Sequence, residues 1–308
     1  MNFMKDLTSF INNSEKPLIV ILGPTASGKT GLSLELAQKF DGEIISTDSR
    51  QIYEEMEIGT AMILPNEQKG VPHHMLSITT PDKTLTLGEY KELVLKEIAE
   101  IQKREHIPML VGGTGLYISA IIEGYDVPRV APNEKLRKKL NEEATKHGSE
   151  YIHEKLKKLD PEAAEKIHPN NTRYVIRAIE INKGTKSAKP DKKSGPQFDV
   201  FMIGINWPRE KLYDRINQRV EIQVKEGLLE EVRKLLRKGY AEELPSMSSL
   251  GVKEIIPFLR GEQDLEECKE TLKKNTRNYA KRQMTWFRRY DNVHWLTPED
   301  VKKITQGS

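Results

Sequence analysis

The chain has 308 residues and a single cysteine, Cys268. One thiol cannot close an internal disulfide, and it cannot build a zinc ribbon or an iron–sulfur centre. It is expected to be a small core residue. Aromatic residues make up only 6% of the chain. No stretch approaches the 18 or so consecutive apolar residues of a membrane-spanning helix. The segment from Met1 to Lys16 lacks the basic head and apolar run of a secretory signal. A reducing compartment, the cytoplasm by default, is expected.

Net charge is nearly absent as well: 49 basic residues face 46 acidic ones, leaving +3. The distribution is uneven. Residues 1–112 carry 11 basic and 16 acidic side chains, and residues 113–308 carry 38 and 30. A basic remainder behind an acidic head suits a polyanionic partner, although solvated Lys/Glu helices give the same arithmetic.

What is present begins with a short β-branched run, Leu18 to Leu22, between Pro17 and Gly23. It reads as a buried strand. Apolar residues from Leu32 to Phe40 then recur at helical spacing, with Gly42 as the expected stop. Strands are expected at Glu43–Thr47, Met109–Val111, Asp199–Trp207 and Asn292–Leu296, and helices over 89–104, 209–238, 252–260 and 265–290. Strands alternating with helices predict an α/β fold on a parallel sheet. Residues 133–183 read as short charged helices, which suggests a helical insertion over 128–197 between core segments 1–127 and 198–308. Residues 184–196 read as an exposed, mobile basic loop.

In a parallel sheet the site lies beyond the carboxyl ends of the strands. Three strand ends carry polar motifs. The first, Gly23-Pro24-Thr25-Ala26-Ser27-Gly28-Lys29-Thr30, fits the phosphate-loop pattern. Its glycines admit phosphate to the backbone amides, Lys29 adds charge, and the Thr30 hydroxyl can hold Mg²⁺. The strand ending Val111-Gly112-Gly113-Thr114 offers no carboxylate to order a magnesium for phosphoryl transfer. The same cradle would serve a diphosphate that departs as a leaving group. The third motif, Asp48-Ser49-Arg50-Gln51, offers Asp48 as a general base or acceptor from an amine, with a helix N-cap as the alternative. Gln51 could read an adenine edge.

These motifs, together with Ile58–Ala61 (IGTA), Val71–Met75 (VPHHM), Val111–Tyr117 (VGGTGLY), Arg173–Glu180 (RYVIRAIE), Leu212–Gly227, Ser249–Glu254 and Asn278–Phe287 (NYAKRQMTWF), closely resemble the tRNA dimethylallyltransferases. With one cysteine and no zinc finger, the chain is similar to the shorter, bacterial type. The resemblance implies a P-loop NTPase-like core with a helical insertion domain and long C-terminal helices. It implies a cytoplasmic, monomeric enzyme that uses Mg²⁺. The implied reaction moves a dimethylallyl group from dimethylallyl diphosphate to N6 of adenosine-37, in the anticodon stem-loop of tRNA.

By position, the resemblance implies that Gly23, Thr25, Ala26, Ser27, Gly28, Lys29 and Thr30 bind the diphosphate, with Thr30 toward the metal. Asp48 would be the base, Thr114 would sit at the reaction channel, and Arg219 would clamp the diphosphate. Asp48, Ser49, Arg50, Gln51, Thr114, Arg173, Tyr174, Val175, Ile176, Arg177 and Lys253 would meet the tRNA, with Arg137 a further contact. On the 265–290 helix, some lysines and arginines are expected to touch RNA, and Tyr279 and Trp286 to pack in the core. The adjacent His73 and His74 suit a structural or tRNA-facing loop and no common zinc spacing.

Overall fold

The computed structural model describes residues 3–125, 130, 132–184 and 197–306. Two compact units divide the chain: Met1–Gly124 with Gly195–Ser308, and Tyr125–Ser194.

In chain order, the first part of the larger unit contains α1 (Phe3–Asn13), β1 (Pro17–Leu22), α2 (Lys29–Phe40), β2 (Gly42–Ser46), the one-turn α3 (Glu57–Thr60), β3 (His73–His74), α4 (Leu87–Lys103), β4 (Ile107–Gly112) and α5 (Gly115–Ile122). The smaller unit follows with α6 (Glu134–His147), α7 (Ser149–Leu159), α8 (Pro161–Lys166) and α9 (Thr172–Gly184). The larger unit resumes with β5 (Asp199–Ile205), α10 (Arg209–Glu226), α11 (Leu228–Arg237), α12 (Val252–Leu259), α13 (Leu265–Phe287), β6 (Val293–Leu296) and α14 (Pro298–Gln306).

The six strands form one sheet in the order β3-β2-β4-β1-β5-β6, every pair parallel. The central strands are buried on both faces, so they read as continuous apolar runs. Leu18, Val20 and Leu22 pack with Val94, Ile98 and Phe287 on one face. Ile19 and Ile21 pack with Leu32, Leu36 and Ile203 on the other. A third apolar cluster holds Ile52, Tyr53 and Met56 against Val220, Val232, Val252 and the buried Cys268. The register aligns β1 and β4 so that Leu22 lies beside Gly112, and the loops after both strands leave from one edge.

Several local expectations change. Gly42 does not stop α2. Asp41 takes the left-handed cap conformation at φ 52°, and Gly42 opens β2 instead. A side chain at Gly42 would meet the end of the Met109 side chain and approach the Ile107 carbonyl at 3.1 Å, so it would fit against β4 only if Met109 shifted. The expected helix over 209–238 is two helices, because Gly227 turns to φ 110° between them. His73 and His74 form the edge strand β3 rather than a loop. His74 Nε2 bonds the buried Glu43 carboxylate at 2.6 Å, beside Arg104 and His106. No described helix is long and apolar enough to cross a membrane.

In the smaller unit, Leu140, Ile152, Leu156, Val175, Ile176 and Ile179 make a core of their own. The buried Glu180 gathers Arg137 at 2.9 Å, the Asn133 N–H at 2.6 Å, and Arg177. Burial acts to raise the Glu180 carboxyl, but these partners hold it below its ordinary range. Of the basic loop expected at 184–196, residues 185–196 lie outside the described residues.

Candidate active site

The phosphate loop leaves β1 at Gly23 and enters α2 at Lys29. Gly28 stands at the helix N-cap with φ 95°, and no side chain caps the first turn. The first amides of α2 are therefore free to meet an anion. The loop is braced from behind. The Ala26 carbonyl accepts from Arg215 Nε at 2.8 Å, and the Ser27 carbonyl accepts from Trp207 Nε1 at 2.9 Å. The Arg215 guanidinium lies 4.5 Å over the Trp207 ring, so the two braces support each other. The Thr25 N–H donates to Gln283 Oε1 at 2.9 Å, and Gln283 Nε2 donates to the Gly113 carbonyl at 2.9 Å. One buried amide on α13 thus ties the loop after β1 to the loop after β4. A side chain at Gly113 would run into that amide.

Lys29 Nζ donates to the Pro24 carbonyl at 2.9 Å. Burial drops its pKa to about 8, Arg219 pushes the same way, and Asp48 opposes. The Arg219 guanidinium is also lowered by burial and supported by the Asp48 charge. Lys29, Arg219 and Asp48 therefore share one electrostatic environment, although they come from α2, α10 and the end of β2. The Ser27 hydroxyl, on the same loop, is buried with no hydrogen-bond partner. The Thr30 hydroxyl is exposed on the first turn of α2.

Asp48 Oδ1 accepts the Arg50 N–H at 2.8 Å. It closes a turn, and no helix begins there, so the N-cap alternative is set aside. The Thr114 N–H donates to the Thr47 carbonyl at 3.1 Å, and the Ser49 N–H donates to Thr114 Oγ1 at 3.1 Å. Arg50 reaches the Pro245 carbonyl and, at 3.4 Å, the Ser248 hydroxyl. Gln51 Oε1 accepts from Ser46 at 3.0 Å, while its amide nitrogen donates to the Thr60 and Ala61 carbonyls, each at 3.3 Å. An amide oxygen has two lone pairs, so one acceptor site on Gln51 remains.

Two tyrosines complete the wall. Tyr279, expected in the core, is only partly buried and bonds Thr114; burial and the Asp48 charge push its hydroxyl up to about 12. Burial also raises the Tyr117 hydroxyl, which feels Tyr53, Arg50 and Asp48. The Tyr117 ring lies 3.9 Å from the ring of Tyr90, whose hydroxyl donates to the Ser46 carbonyl at 2.8 Å. Trp286 does pack against the core, with Nε1 on Ser119.

Among the residues expected to meet RNA, Arg173 and Tyr174 are exposed, Tyr174 at 65%. Val175 and Ile176 need correction as side-chain contacts. At 0% and 4% exposure they point into the core of the smaller unit, because α9 packs that face on α7. Arg137 and Arg177 are committed to Glu180 and keep only their outer edges open. Lys253 is half-exposed at the start of α12, just past the loop that braces Arg50. Sequence reasoning missed Tyr279, Gln283, Tyr117, Trp207 and Arg215. The four-residue spacing of Tyr279 and Gln283 would have put them on one helix face.

The IPP transferase family model matches residues 51–290. The tRNA dimethylallyltransferase of Acetivibrio thermocellus is 48% identical over 288 residues, covering 92% of each chain. That of Halothermothrix orenii is 47% identical over 312 residues, covering 98% of this chain and 95% of its own. The solved tRNA isopentenylpyrophosphate transferase of Bacillus halodurans is 41% identical, covers 95% of each chain and superposes with a TM-score of 0.70. A eukaryotic dimethylallyltransferase acting on tRNA is 30% identical and covers 92% of this chain and 74% of its own, with a TM-score of 0.79. A phosphate loop, an acid at the next strand end and an arginine within electrostatic reach of both thus occur in a chain that belongs to the IPP transferase family, whose relatives are named tRNA dimethylallyltransferases.

Proposed function

We propose that this chain transfers a dimethylallyl group from dimethylallyl diphosphate to N6 of adenosine-37 in a tRNA anticodon stem-loop, releasing diphosphate. The shared environment of Lys29, Arg219 and Asp48 carries the reading. Cations that hold a leaving diphosphate sit there beside a carboxylate that can serve an amine.

In the reaction the allylic C–O bond breaks and its electron pair leaves with the diphosphate. The N6 lone pair forms the new N–C bond, and the proton lost from N6 passes to Asp48. Gly23, Thr25, Ala26, Ser27, Gly28, Lys29 and Thr30 cradle the diphosphate, and Arg219 neutralises charge growing on the bridging oxygen. Asp48 Oδ1 is anchored by the Arg50 amide, which aims the carboxylate before the base arrives. Thr114 lines the channel. The remaining Gln51 lone pair can accept from the second N6 proton. The base leaves its stack to enter.

Magnesium fits as an ion held mainly by the substrate. No group of three His, Cys, Asp or Glu side chains among the described residues could hold it, but the Thr30 hydroxyl is open beside the loop. When bound, Mg²⁺ would neutralise diphosphate charge.

Ser49, Arg50, Gln51 and Lys253 in the larger unit would contact the tRNA. So would Arg173, Tyr174 and the open edges of Arg137 and Arg177 on the insertion over 128–197. The enzyme would act as a cytoplasmic monomer. Incubation of the chain with labelled dimethylallyl diphosphate and either unmodified tRNA or AMP tests the reading. Label in tRNA supports it. Label in AMP alone, or ATP turnover without prenyl diphosphate, overturns it.

A further inference from the structure

The single turn α3 is too short to be stable by itself. Side chains from two other helices hold it. The Ile58 and Gly59 amides donate to the two oxygens of Glu231 on α11, at 2.7 and 2.8 Å. The Ile58 and Gly59 carbonyls accept from Gln223 Nε2 on α10, at 2.7 and 2.9 Å. The fit is tight: a Cβ added at Gly59 would stand 3.0 Å from Glu231 Oε1.

The other end of this turn faces the proposed site. The Thr60 carbonyl accepts from Arg219 Nη2 at 3.2 Å and from Gln51 Nε2 at 3.3 Å. One backbone oxygen therefore orients both the residue read as the diphosphate clamp and a residue read as meeting the target base.

We infer that Glu231 and Gln223 are positioning residues for the transfer, which set the Thr60 carbonyl and through it fix Arg219 and Gln51 together, so that both substrates depend on one clamp remote from the chemistry. The inference rests on the functional reading above. Removing the clamp weakens both half-sites at once, whereas a change at Arg219 acts first on the prenyl diphosphate and a change at Gln51 acts first on the tRNA.

Burial of the Glu231 carboxyl is consistent with a built feature. Burial lifts it to about 6, the Gly59 and Ile58 amides pull it back, the Glu57 charge adds to the rise, and Lys234 opposes it. Near pH 7.5 it is an anion, the form that accepts both amides best.

The test compares wild type with Glu231→Gln, Gln223→Leu and Gly59→Ala at pH 7.5, measuring kcat and KM for dimethylallyl diphosphate and for tRNA, alongside the melting temperature. Glu230→Gln is the control, an exposed neighbour paired with Arg233. The expected result is a fall of kcat/KM by about ten- to a hundredfold for both substrates in Glu231→Gln. Both KM values rise together, and Glu231→Asp recovers part of the loss. Gln223→Leu keeps the volume and gives the same paired rise if Glu231→Gln does not fold. Kinetics within twofold of wild type in the folded variants would overturn the inference, as would a rise in one KM alone. If wild type itself transfers nothing to tRNA, the functional reading fails. If wild type transfers and Glu231→Gln matches it, only the clamp fails.

Discussion

The Ser49 N–H donates to Thr114 Oγ1 at 3.1 Å, which joins the loops after β2 and β4 across 65 residues of sequence. The same hydroxyl bonds Tyr279. Thr114 is thus a junction between the segment that carries Asp48 and the last long helix. Thr114→Ala is expected to lower kcat by about a hundredfold with tRNA affinity changed less than threefold. Single-turnover transfer and filter binding measure the two separately.

Asp48→Ala is expected to abolish transfer, by at least about a thousandfold, while tRNA binding is largely kept. Asp48→Asn keeps the Arg50 turn and is expected to lose nearly as much. Turnover close to wild type in either variant would remove Asp48 from its role as base.

Lys29 predicts a pH dependence of substrate binding. Under the proposed function it binds diphosphate as a cation, and burial lowers its pKa in the free protein to about 8. The KM for dimethylallyl diphosphate is expected to rise as pH increases from 7 to 9, and the rise is expected to vanish in Lys29→Arg. Stability runs the other way. Between about 8 and the ordinary lysine value the unfolded chain holds more protons than the folded one, so the free protein gains stability with pH. Thermal melts across that window, with and without diphosphate, check both halves.

Glu43 marks the acid limit. Burial works to raise its carboxyl, but hydrogen bonds from Arg104, His74 and His106 bring it to about 2. A depressed carboxyl contributes stability in full above its unfolded value of 4.5 and loses it as pH falls through 2. Glu43→Gln is expected to lower the melting temperature near pH 7, because a neutral amide accepts more weakly from Arg104, His74 and His106 than the buried carboxylate does. The variant is expected to flatten the acid slope of the urea midpoint.

The brace behind the phosphate loop predicts a selective defect. Arg215→Ala frees the Ala26 carbonyl and unstacks Trp207. It is expected to raise the KM for the prenyl diphosphate by about tenfold. The KM for tRNA, measured at saturating prenyl diphosphate, is expected to stay put.

The sequence carried the parallel sheet and the three strand-end motifs, because fully buried strands read as apolar runs and a phosphate loop has a fixed glycine spacing. It did not show which way helical side chains face. Val175 and Ile176 lie in a motif rich in arginine, yet their apolar side chains fill the core of the smaller unit. Tyr279 reads as part of the buried face of an amphipathic helix, yet it is only partly buried and lies by Thr114, in the loop after β4. Glu231 resembles any surface glutamate on a helix rich in Lys and Glu. Only the arrival of α3, from more than 170 residues away, gives it two amides to hold.

Gln283 has a consequence for how the protein comes into being. It closes the phosphate loop from 258 residues downstream of Thr25. While the chain is being made, the loop emerges early but lacks its final strut until α13 has left the ribosome. A chain cut short before that helix would keep the glycine-rich motif intact and still lack a formed cradle. Under the proposed function, competence to bind a prenyl diphosphate thus arrives near the end of synthesis, together with the helix that carries Tyr279.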